Sequence, residues 1–279
     1  MSLDQSLVGV WSPAETFSYT WKDVVLYALG VGAKKSELDF LYEGRGPKVL
    51  PSFAVVPMFS PMFNWLAKTG GDLSMVVHGG QRVRVHGALP PAATLETSAQ
   101  IKGIYDMRKF AIVAIETKVT HEGKLLAETS SNIIFRGAGG FGGKTPPKEE
   151  KMVELPKDRP ADFRIEEVIP EEQALLYRLS GDLNPLHADP AFAASVGFER
   201  APILHGLCTY GMMVRHAALG AAGGDATKLK AFDAQFRKPV WPGDTLVTEG
   251  FRVDGDRLAL RVSVKERDEQ VLTGAWAQL

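Results

Sequence analysis

The sequence predicts an α+β fold built from two similar units, and three observations support this prediction. Residues 138–160 are rich in glycine, proline, lysine and glutamate, a composition typical of a linker without a core of its own. This stretch separates two parts of comparable size, residues 1–137 and 161–279. In each part helical stretches come first and alternating strands follow, which indicates a duplicated unit.

The helical stretches carry recognisable start and stop signals. Thr20 can cap a helix that has Asp23 in its first turn, and a helix in the second part begins at Pro170 and ends at Gly181. Residues 202–222 form the longest apolar stretch and are apolar on nearly every side, so we expect a buried helix. We interpret it as the central helix of the second unit.

The strand regions of the two parts also correspond. Residues 85–95 and 236–246 each place a proline-containing turn before a Thr-Leu pair. Alternating residues then predict strands at 111–120 and 125–135 in the first part, and at 258–266 and 270–277 in the second. Each unit is therefore expected to contain an antiparallel sheet.

The composition excludes several classes of protein. A net charge of −1 favours neither nucleic acid nor an anionic membrane, and no apolar run approaches the roughly 18 residues of a membrane span. The single cysteine, Cys208, excludes an intrachain disulfide and a cysteine-based metal cluster. The first residues show no signal-peptide pattern. We therefore expect a cytoplasmic protein without nucleic-acid, membrane or metal partners.

The most informative segment is residues 177–187, with the sequence YRLSGDLNPLH. It places Asp182 and His187 on one loop, around Asn184 and a proline that cannot continue a helix. Gly181 ends the preceding helix and Asp189 can cap the following one, so the loop is held at both ends. An isolated Asp and His near a turn usually serve the turn alone, whereas this complete string favours an acid-base pair.

Such a pair suits the addition of water to an α,β-unsaturated thioester. A base must take a proton from water as the oxygen attacks the β-carbon, and a proton must reach the α-carbon. Asp182 and His187 can hold one water between them and divide this work, while Asn184 can orient the water or a partner. The sequence leaves open which of the two residues gives the proton and which takes it.

A third element of the predicted site is Gly206, at the start of the predicted buried helix. Backbone N–H groups at a helix N-terminus are unpaired, so they can stabilise the negative charge that develops on the thioester oxygen. The alternative interpretation is that Gly206 only eases helix packing. We interpret the neighbouring His205 as a structural residue that is hydrogen-bonded near the helix start.

These motifs closely resemble the signature of the hydratase 2 family, the MaoC-like (R)-specific 2-enoyl-CoA hydratases. The likeness covers nearly the whole chain, because segments such as YALGVGA at residues 27–33 and LYEG at 41–44 resemble the N-terminal half of these enzymes. That half is similar to the hydratase domain of peroxisomal multifunctional enzyme type 2. The resemblance implies a double hot-dog fold: two fused hot-dog units, each an antiparallel sheet around a long central helix.

The resemblance also implies an activity, the reversible hydration of trans-2-enoyl-CoA to (R)-3-hydroxyacyl-CoA without cofactor or metal. One site per chain is expected, because only the second unit carries the motif, and the first unit would accommodate the acyl chain. We expect a homodimer, and a peroxisomal location if the organism is a eukaryote. By position, the residues implied as catalytic are Asp182, His187, Asn184 and Gly206, and those lining the CoA or acyl path are His78, Gly79 and Phe236.

Two positions depart from the family pattern. Gly80 stands where the family's His-Gly-Glu-Gln has its acidic residue, and Met107 stands in place of a lysine that contacts CoA in relatives. Arg108 and Lys109 lie beside Met107, and we expect them to contact CoA at this edge.

Two other functions are alternatives. A hot-dog acyl-CoA thioesterase would use a carboxylate to direct water at the carbonyl carbon, and it would not need His187 on the same loop. A non-catalytic acyl-CoA-binding protein would be free to lose Asp182 or His187, but both are present. Hydration is the function that uses both side chains.

Overall fold

The structure, a computed structural model, describes residues 3–147 and 153–279. Ten strands of these residues form a single sheet, and all its strand pairs are antiparallel. The strands are β1 (Glu15–Tyr19), β2 (Val76–Val85), β3 (Ala93–Asp106), β4 (Phe110–His121), β5 (Lys124–Arg136), β6 (Phe163–Val168), β7 (Ala231–Phe236), β8 (Thr245–Asp254), β9 (Arg257–Val264) and β10 (Glu269–Gln278). The helices are α1 (Trp21–Gly30), α2 (Leu38–Leu41), α3 (Val55–Ala67), α4 (Gln173–Tyr177), α5 (Pro190–Ser195) and α6 (Gly206–Ala221).

The two parts of the chain contribute matching halves of the sheet. The strand order is β1-β3-β4-β5-β2-β7-β10-β9-β8-β6, so each half has the same internal order when it is read from its outer edge inward. The halves meet where β2 pairs with β7, with Arg82 opposite Asp233 at the middle of the paired residues. The predicted duplication is therefore a nearly twofold arrangement around this seam.

Each half of the sheet covers one central helix. Helix α3 lies against β3 and β4, and helix α6 lies against β6 and β8. Helix α6 is buried from Leu207 to Ala218, as expected of a helix that is apolar on nearly every side. Burial of these helices and of the inner sheet face joins both halves into one hydrophobic core.

The cap at Thr20 and the stop at Gly181 are confirmed, whereas the helix predicted to begin at Pro170 begins at Gln173. The Thr20 N–H donates to the Asp23 carboxylate at 2.7 Å at the start of α1. In the second part, α4 continues into a 3-10 turn that Gly181 ends with a φ of 128°. This φ lies in the region that favours glycine, so the stop signal has a direct backbone cause.

Two further predicted boundaries are wrong. Helix α6 begins at Gly206 rather than at residue 202, because the Leu204 N–H donates to the Val240 carbonyl at 2.7 Å and His205 keeps an extended conformation. Strand β9 ends at Val264 rather than at residue 266. A 3-10 turn follows it and ends at Asp268, whose φ of 46° reverses the chain.

The described parts of the predicted linker, residues 138–147 and 153–160, contain no helix or strand. Residues 148–152 of this prediction lie outside the described residues. The amides of Gly140 and Gly142 donate to the Asp106 carboxylate at 2.8 and 2.7 Å, so the first part of the linker is held against the β3–β4 turn. Within the described ranges, no helix has the length and apolar character needed to cross a membrane.

Candidate active site

The loop that carries Asp182 and His187 is fixed by local hydrogen bonds. The Asn184 side chain accepts from the Leu186 N–H at 3.0 Å and begins a 3-10 turn that contains His187. The Asp189 side chain accepts from the Ala191 N–H at 2.8 Å at the start of α5. Asn184 therefore shapes the turn, and its side chain is exposed at the edge of the pair.

The acidic and basic groups of this loop lie close together. Ligand-type atoms of Asp182, His187 and His205 all lie within 4.8 Å of one another. The Nδ1 of His187 is 2.8 Å from the Ile203 carbonyl, so it carries the proton and leaves Nε2 with a free lone pair. Asp182 is half-buried and its Oδ1 accepts from the Asn184 N–H at 3.2 Å.

Burial shifts both groups toward their neutral forms. Desolvation raises the pKa of Asp182, and the charges of His187 and Arg178 only partly oppose this effect. Desolvation likewise lowers the pKa of His187, against the opposing effect of the Asp182 carboxylate. Two groups whose pKa values are shifted toward each other can exchange a proton with bound water at modest cost.

His205 is part of the site, although the sequence suggested only a structural role. Its ring stacks on His187 with centroids 3.6 Å apart and planes 25° from parallel. Its Nε2 is 3.1 Å from the Asp182 carbonyl, whereas its buried Nδ1 has no hydrogen-bond partner among the described residues. Burial lowers the pKa of His205 to about 3, so the ring is neutral.

Tyr177 was also missed as a site residue. It is buried, its ring lies 4.9 Å from that of His205, and desolvation raises its pKa well above the ordinary value. Its place at the start of the YRLSGDLNPLH segment was the available signal, but the sequence alone gave it no chemical task.

The same cluster is poorly arranged for a metal ion. An ion bound by imidazole lies in the ring plane, about 2.0–2.1 Å from the nitrogen. The rings of His187 and His205 are stacked 3.6 Å apart, so no single position lies in both ring planes at that distance. The geometry favours two neutral stacked imidazoles over a shared metal.

Helix α6 begins directly after His205, whose ring stacks on that of His187. The first backbone hydrogen bonds of this helix come from the amides of Cys208 and Thr209, and both go to the His205 carbonyl. The Gly206 amide precedes them and heads the helix, and Gly206 is exposed while the next residues are buried. This exposed amide at a helix N-terminus is suited to a negatively charged oxygen.

Residues of the first unit reach the site across the seam between β2 and β7. The ring of Phe236, at the end of β7, lies 5.1 Å from the His78 ring at the start of β2. A Cβ placed on Gly206 would lie 3.2 Å from the same Phe236 ring. Gly79 is the extra residue of a β-bulge between His78 and Gly80, and it turns this end of β2 beside the site.

Arg108 and Lys109 lie at the same end of the strands as His78, two strands away from β2. They occupy the turn between β3 and β4, where Arg108 has a φ of 65° and the Met107 N–H donates to the Phe110 carbonyl. Strand β5 separates this turn from β2. Both side chains are exposed, so their predicted contact with CoA stays a prediction.

Comparison with known proteins identifies the family. Residues 17–137 match the MFE-2 hydratase 2 N-terminal domain, and residues 151–275 match the MaoC like domain. The chain is 39% identical over 276 residues to 3-hydroxyacyl-thioester dehydratase Y of Mycobacterium tuberculosis, covering 96% of this chain and 94% of that protein. The chain belongs to the hydratase 2 (MaoC-like) family. The predicted family is therefore confirmed, and with it the enzyme class, a hydro-lyase.

Other known proteins are similar in sequence or in fold. The peroxisomal enoyl-CoA hydratase 2 of Arabidopsis thaliana is 37% identical, with 94% of this chain and 91% of that protein covered. The crystal structure of a MaoC-like dehydratase from Phytophthora capsici superposes with a TM-score of 0.87 at 30% identity, covering 98% and 96% of the two chains. A Mycobacterium tuberculosis protein described as a double hotdog fold matches with a TM-score of 0.57 at 15% identity, covering 96% and 95%. The predicted double hot-dog fold is confirmed.

Proposed function

We propose that this hydratase 2 family member adds water reversibly to a trans-2-enoyl-CoA and forms the (R)-3-hydroxyacyl-CoA. The observation that carries the proposal is the pairing of Asp182 and His187 beside the exposed Gly206 amide. One part of this arrangement moves protons, and the other part stabilises charge. Hydration of an enoyl thioester needs both.

In the proposed mechanism this pair carries out both proton transfers of the reaction. At neutral pH His187 is neutral with a free Nε2, and Asp182 offers carboxylate oxygens. One of the two takes a proton from the bound water as the hydroxyl oxygen bonds to the β-carbon. The same proton then returns from the pair to the α-carbon, and the pair ends as it began. Delivery from a single side of the double bond gives syn addition.

The charge of the reaction accumulates on the thioester oxygen. As the C–O bond forms at the β-carbon, the electrons of the double bond move toward the carbonyl and give an enolate. The Gly206 N–H at the start of α6 donates to this oxygen in the proposal, assisted by the dipole of a 16-residue helix. A donor of this kind contributes on the order of 10²–10³ in turnover.

The proposal needs no cofactor and no metal, because the proton transfer uses protein side chains and the electrophile is the substrate itself. The first unit, whose α3 is the counterpart of α6, accommodates the acyl chain. His78, Gly79 and Phe236 line the approach of the thioester. We further propose a cytoplasmic homodimer, or a peroxisomal one in a eukaryote.

An assay with crotonyl-CoA tests the proposal against thioester hydrolysis. A hydratase removes the enoyl absorbance without releasing thiol, and chiral analysis of the product gives the R alcohol. A thioesterase releases one thiol per substrate, and a binding protein changes neither signal. Stoichiometric thiol release, or a racemic or S product, contradicts the proposal.

A further inference from the structure

The near-twofold arrangement of the sheet has an identifiable axis. The alignment that matches Val85 with Phe236 in the two repeats also matches Arg82 with Asp233. These last two residues face each other at the middle of the β2–β7 seam and form a 2.5 Å ion pair. The axis that relates the two units therefore passes through the Arg82–Asp233 pair.

This axis places counterparts of two residues that line the active site at the other end of β2. Phe236 corresponds to Val85 and Gly79 to Lys230, and Val85 lies about 20 Å from Gly79 along β2 at the usual rise of a strand. A cavity of about 530 Å³ lies there, and both counterparts line it. Its wall includes Pro51, at the turn that leads into α3, just as Gly206 begins α6. The position related to the active site by the near-twofold axis therefore also contains a cavity.

The cavity beside Pro51 lacks the acid-base pair that the proposed hydration requires. Its lining is mainly apolar, with Val49, Leu89 and Leu126 among the wall residues. The one histidine among the described lining residues, His86, is exposed, and its Nε2 lies 2.8 Å from a carboxylate oxygen of Glu128. No described lining residue is an aspartate or a glutamate, so an Asp/His pair is absent there. A ligand in this cavity can be held but not hydrated.

A basic cavity adjoins the cavity beside Pro51 and lies on the outer face of the sheet. It has a volume of about 520 Å³ and shares Val85, His86 and Lys230 with the first. Arg84 and Arg257 lie on its wall, and the Arg257 guanidinium is held 5.5 Å from the Trp276 ring. Among the described residues, Arg84, Lys230 and Arg257 form no ion pair. Three available cations beside an apolar cavity suit a ligand with a phosphorylated head and a less polar arm.

We propose that the two adjoining cavities form a second, non-catalytic binding site for an acyl-CoA. The phosphates of CoA lie against Arg84, Lys230 and Arg257, and the acyl-pantetheine arm bends over the end of β2 into the cavity beside Pro51. The choice of acyl-CoA rests on the proposed function, because that function fixes which phosphorylated amphiphile the protein meets. The existence of the site rests on the geometry alone.

Calorimetric titration with butyryl-CoA, a saturated thioester that cannot be hydrated, tests the proposal. The expected stoichiometry is two per chain for the wild type and one for Lys230→Glu/Arg257→Glu. The affinity of the second site should fall by at least about tenfold, and rising salt should weaken it in the wild type. Butyryl-pantetheine, which lacks the phosphates, should lose the second site in every variant.

The matched control reverses two exposed lysines outside both cavities, Lys22→Glu/Lys102→Glu, and should keep two sites. Hydration of crotonyl-CoA should be unchanged in both double variants. If charge reversal unfolds the chain, the milder Arg84→Gln/Arg257→Gln should still weaken the second site. An active wild type with one site overturns the second site alone. A wild type with two sites and no hydration overturns the proposed function alone.

Discussion

The imidazole rings of His187 and His205 are stacked, with their centroids 3.6 Å apart and their planes 25° from parallel. Each ring is tied to a backbone carbonyl of the other's segment: His187 to Ile203, and His205 to Asp182. The catalytic loop and the segment before α6 therefore hold each other in place. His205 acts as a positioning residue, because its own low pKa removes it from proton transfer near neutral pH.

The first prediction removes this positioning contact. His205→Phe keeps an aromatic ring but leaves the Asp182 carbonyl without its donor, a loss of about 1–3 kcal/mol for a buried group. We expect kcat to fall by roughly 10–100-fold while KM changes little. His205→Gln, which can still donate, should recover part of the rate. As the control, substitution of a half-buried histidine outside the site, His121→Phe, should keep wild-type kinetics, and an equal loss there would refute the positioning role of His205.

The second prediction concerns the acid-base pair. Asp182→Asn and His187→Ala should each lower kcat by roughly 10²–10⁴-fold while the chain stays folded. Because both groups act on one water, the double variant should lose far less than the product of the two single losses. Steady-state kinetics with crotonyl-CoA and circular dichroism measure both effects. Near-wild-type turnover in either folded single variant refutes the assignment.

The third prediction is a pH profile. Desolvation lowers the pKa of His187 and raises that of Asp182, and the proposed mechanism requires both groups in their deprotonated forms. The rate should be level from neutral pH upward and should fall only in acid, where the pair takes up its first proton. The Asp182 charge supports protonation of His187, so Asp182→Asn should move the residual acid limb to lower pH. Measuring kcat/KM from about pH 5 to 9 gives the acid limb of the wild type and that of Asp182→Asn. An acid limb of the wild type above pH 7 would contradict the prediction.

The parts of the molecule that sequence predicts well are those with local causes. The cap of Thr20 on α1, the stop at Gly181 and the held loop between Asp182 and His187 depend on neighbours a few residues away. The start of α6 was wrong because Leu204 pairs with Val240, a contact made only by the fold. The stack of His205 on His187 was missed for the same reason, since nothing in either segment encodes the distance between them.

Sequence patterns also did not predict a buried ion network that joins the two units. Arg215 of α6 donates to the Val31 carbonyl and to the Glu37 carboxylate of the first unit, at 3.0 and 2.7 Å. It also donates to Glu167 of β6, which lies 3.0 Å from His216 Nε2. These partners hold α6, and with it the Gly206 amide, against the loop that follows α1.

The fourth prediction follows from the charge of Glu167. Burial would raise its pKa, but His216, Arg215 and Lys34 outweigh burial and lower it to about 2. A carboxylate with a lowered pKa stabilises the folded state above its unfolded value of 4.5, and this contribution is lost as pH falls toward 2. The contribution is about 3 kcal/mol at neutral pH, at 1.36 kcal/mol per pKa unit.

Urea unfolding at pH 7, 4.5 and 3 measures this contribution. Glu167→Gln should lower the free energy of unfolding by about 3–5 kcal/mol at pH 7, because Arg215 loses a buried partner. The variant should also lack the wild-type loss between pH 4.5 and 3. Its neighbour Glu166, exposed and paired with Lys265, is the control: Glu166→Gln should change the free energy of unfolding far less than Glu167→Gln, because water screens an exposed ion pair. Equal effects of the two substitutions would show that the network does not stabilise the fold.

The last prediction asks why residue 206 is a glycine. Gly206 does not have a positive φ, so its backbone conformation is open to any residue, whereas an added Cβ would lie 3.2 and 3.3 Å from two atoms of the Phe236 ring. The constraint is therefore space at the mouth of the site. Gly206→Ala should leave the fold intact but should press on Phe236 and lower kcat/KM by roughly tenfold, about 1.4 kcal/mol. Phe236→Leu combined with Gly206→Ala should recover part of this loss if the ring is the obstacle. If the methyl group instead blocks the thioester from the amide, the double variant will stay as slow as Gly206→Ala. The same kinetics in Gly206→Ala as in the wild type would show that the substrate never approaches this amide.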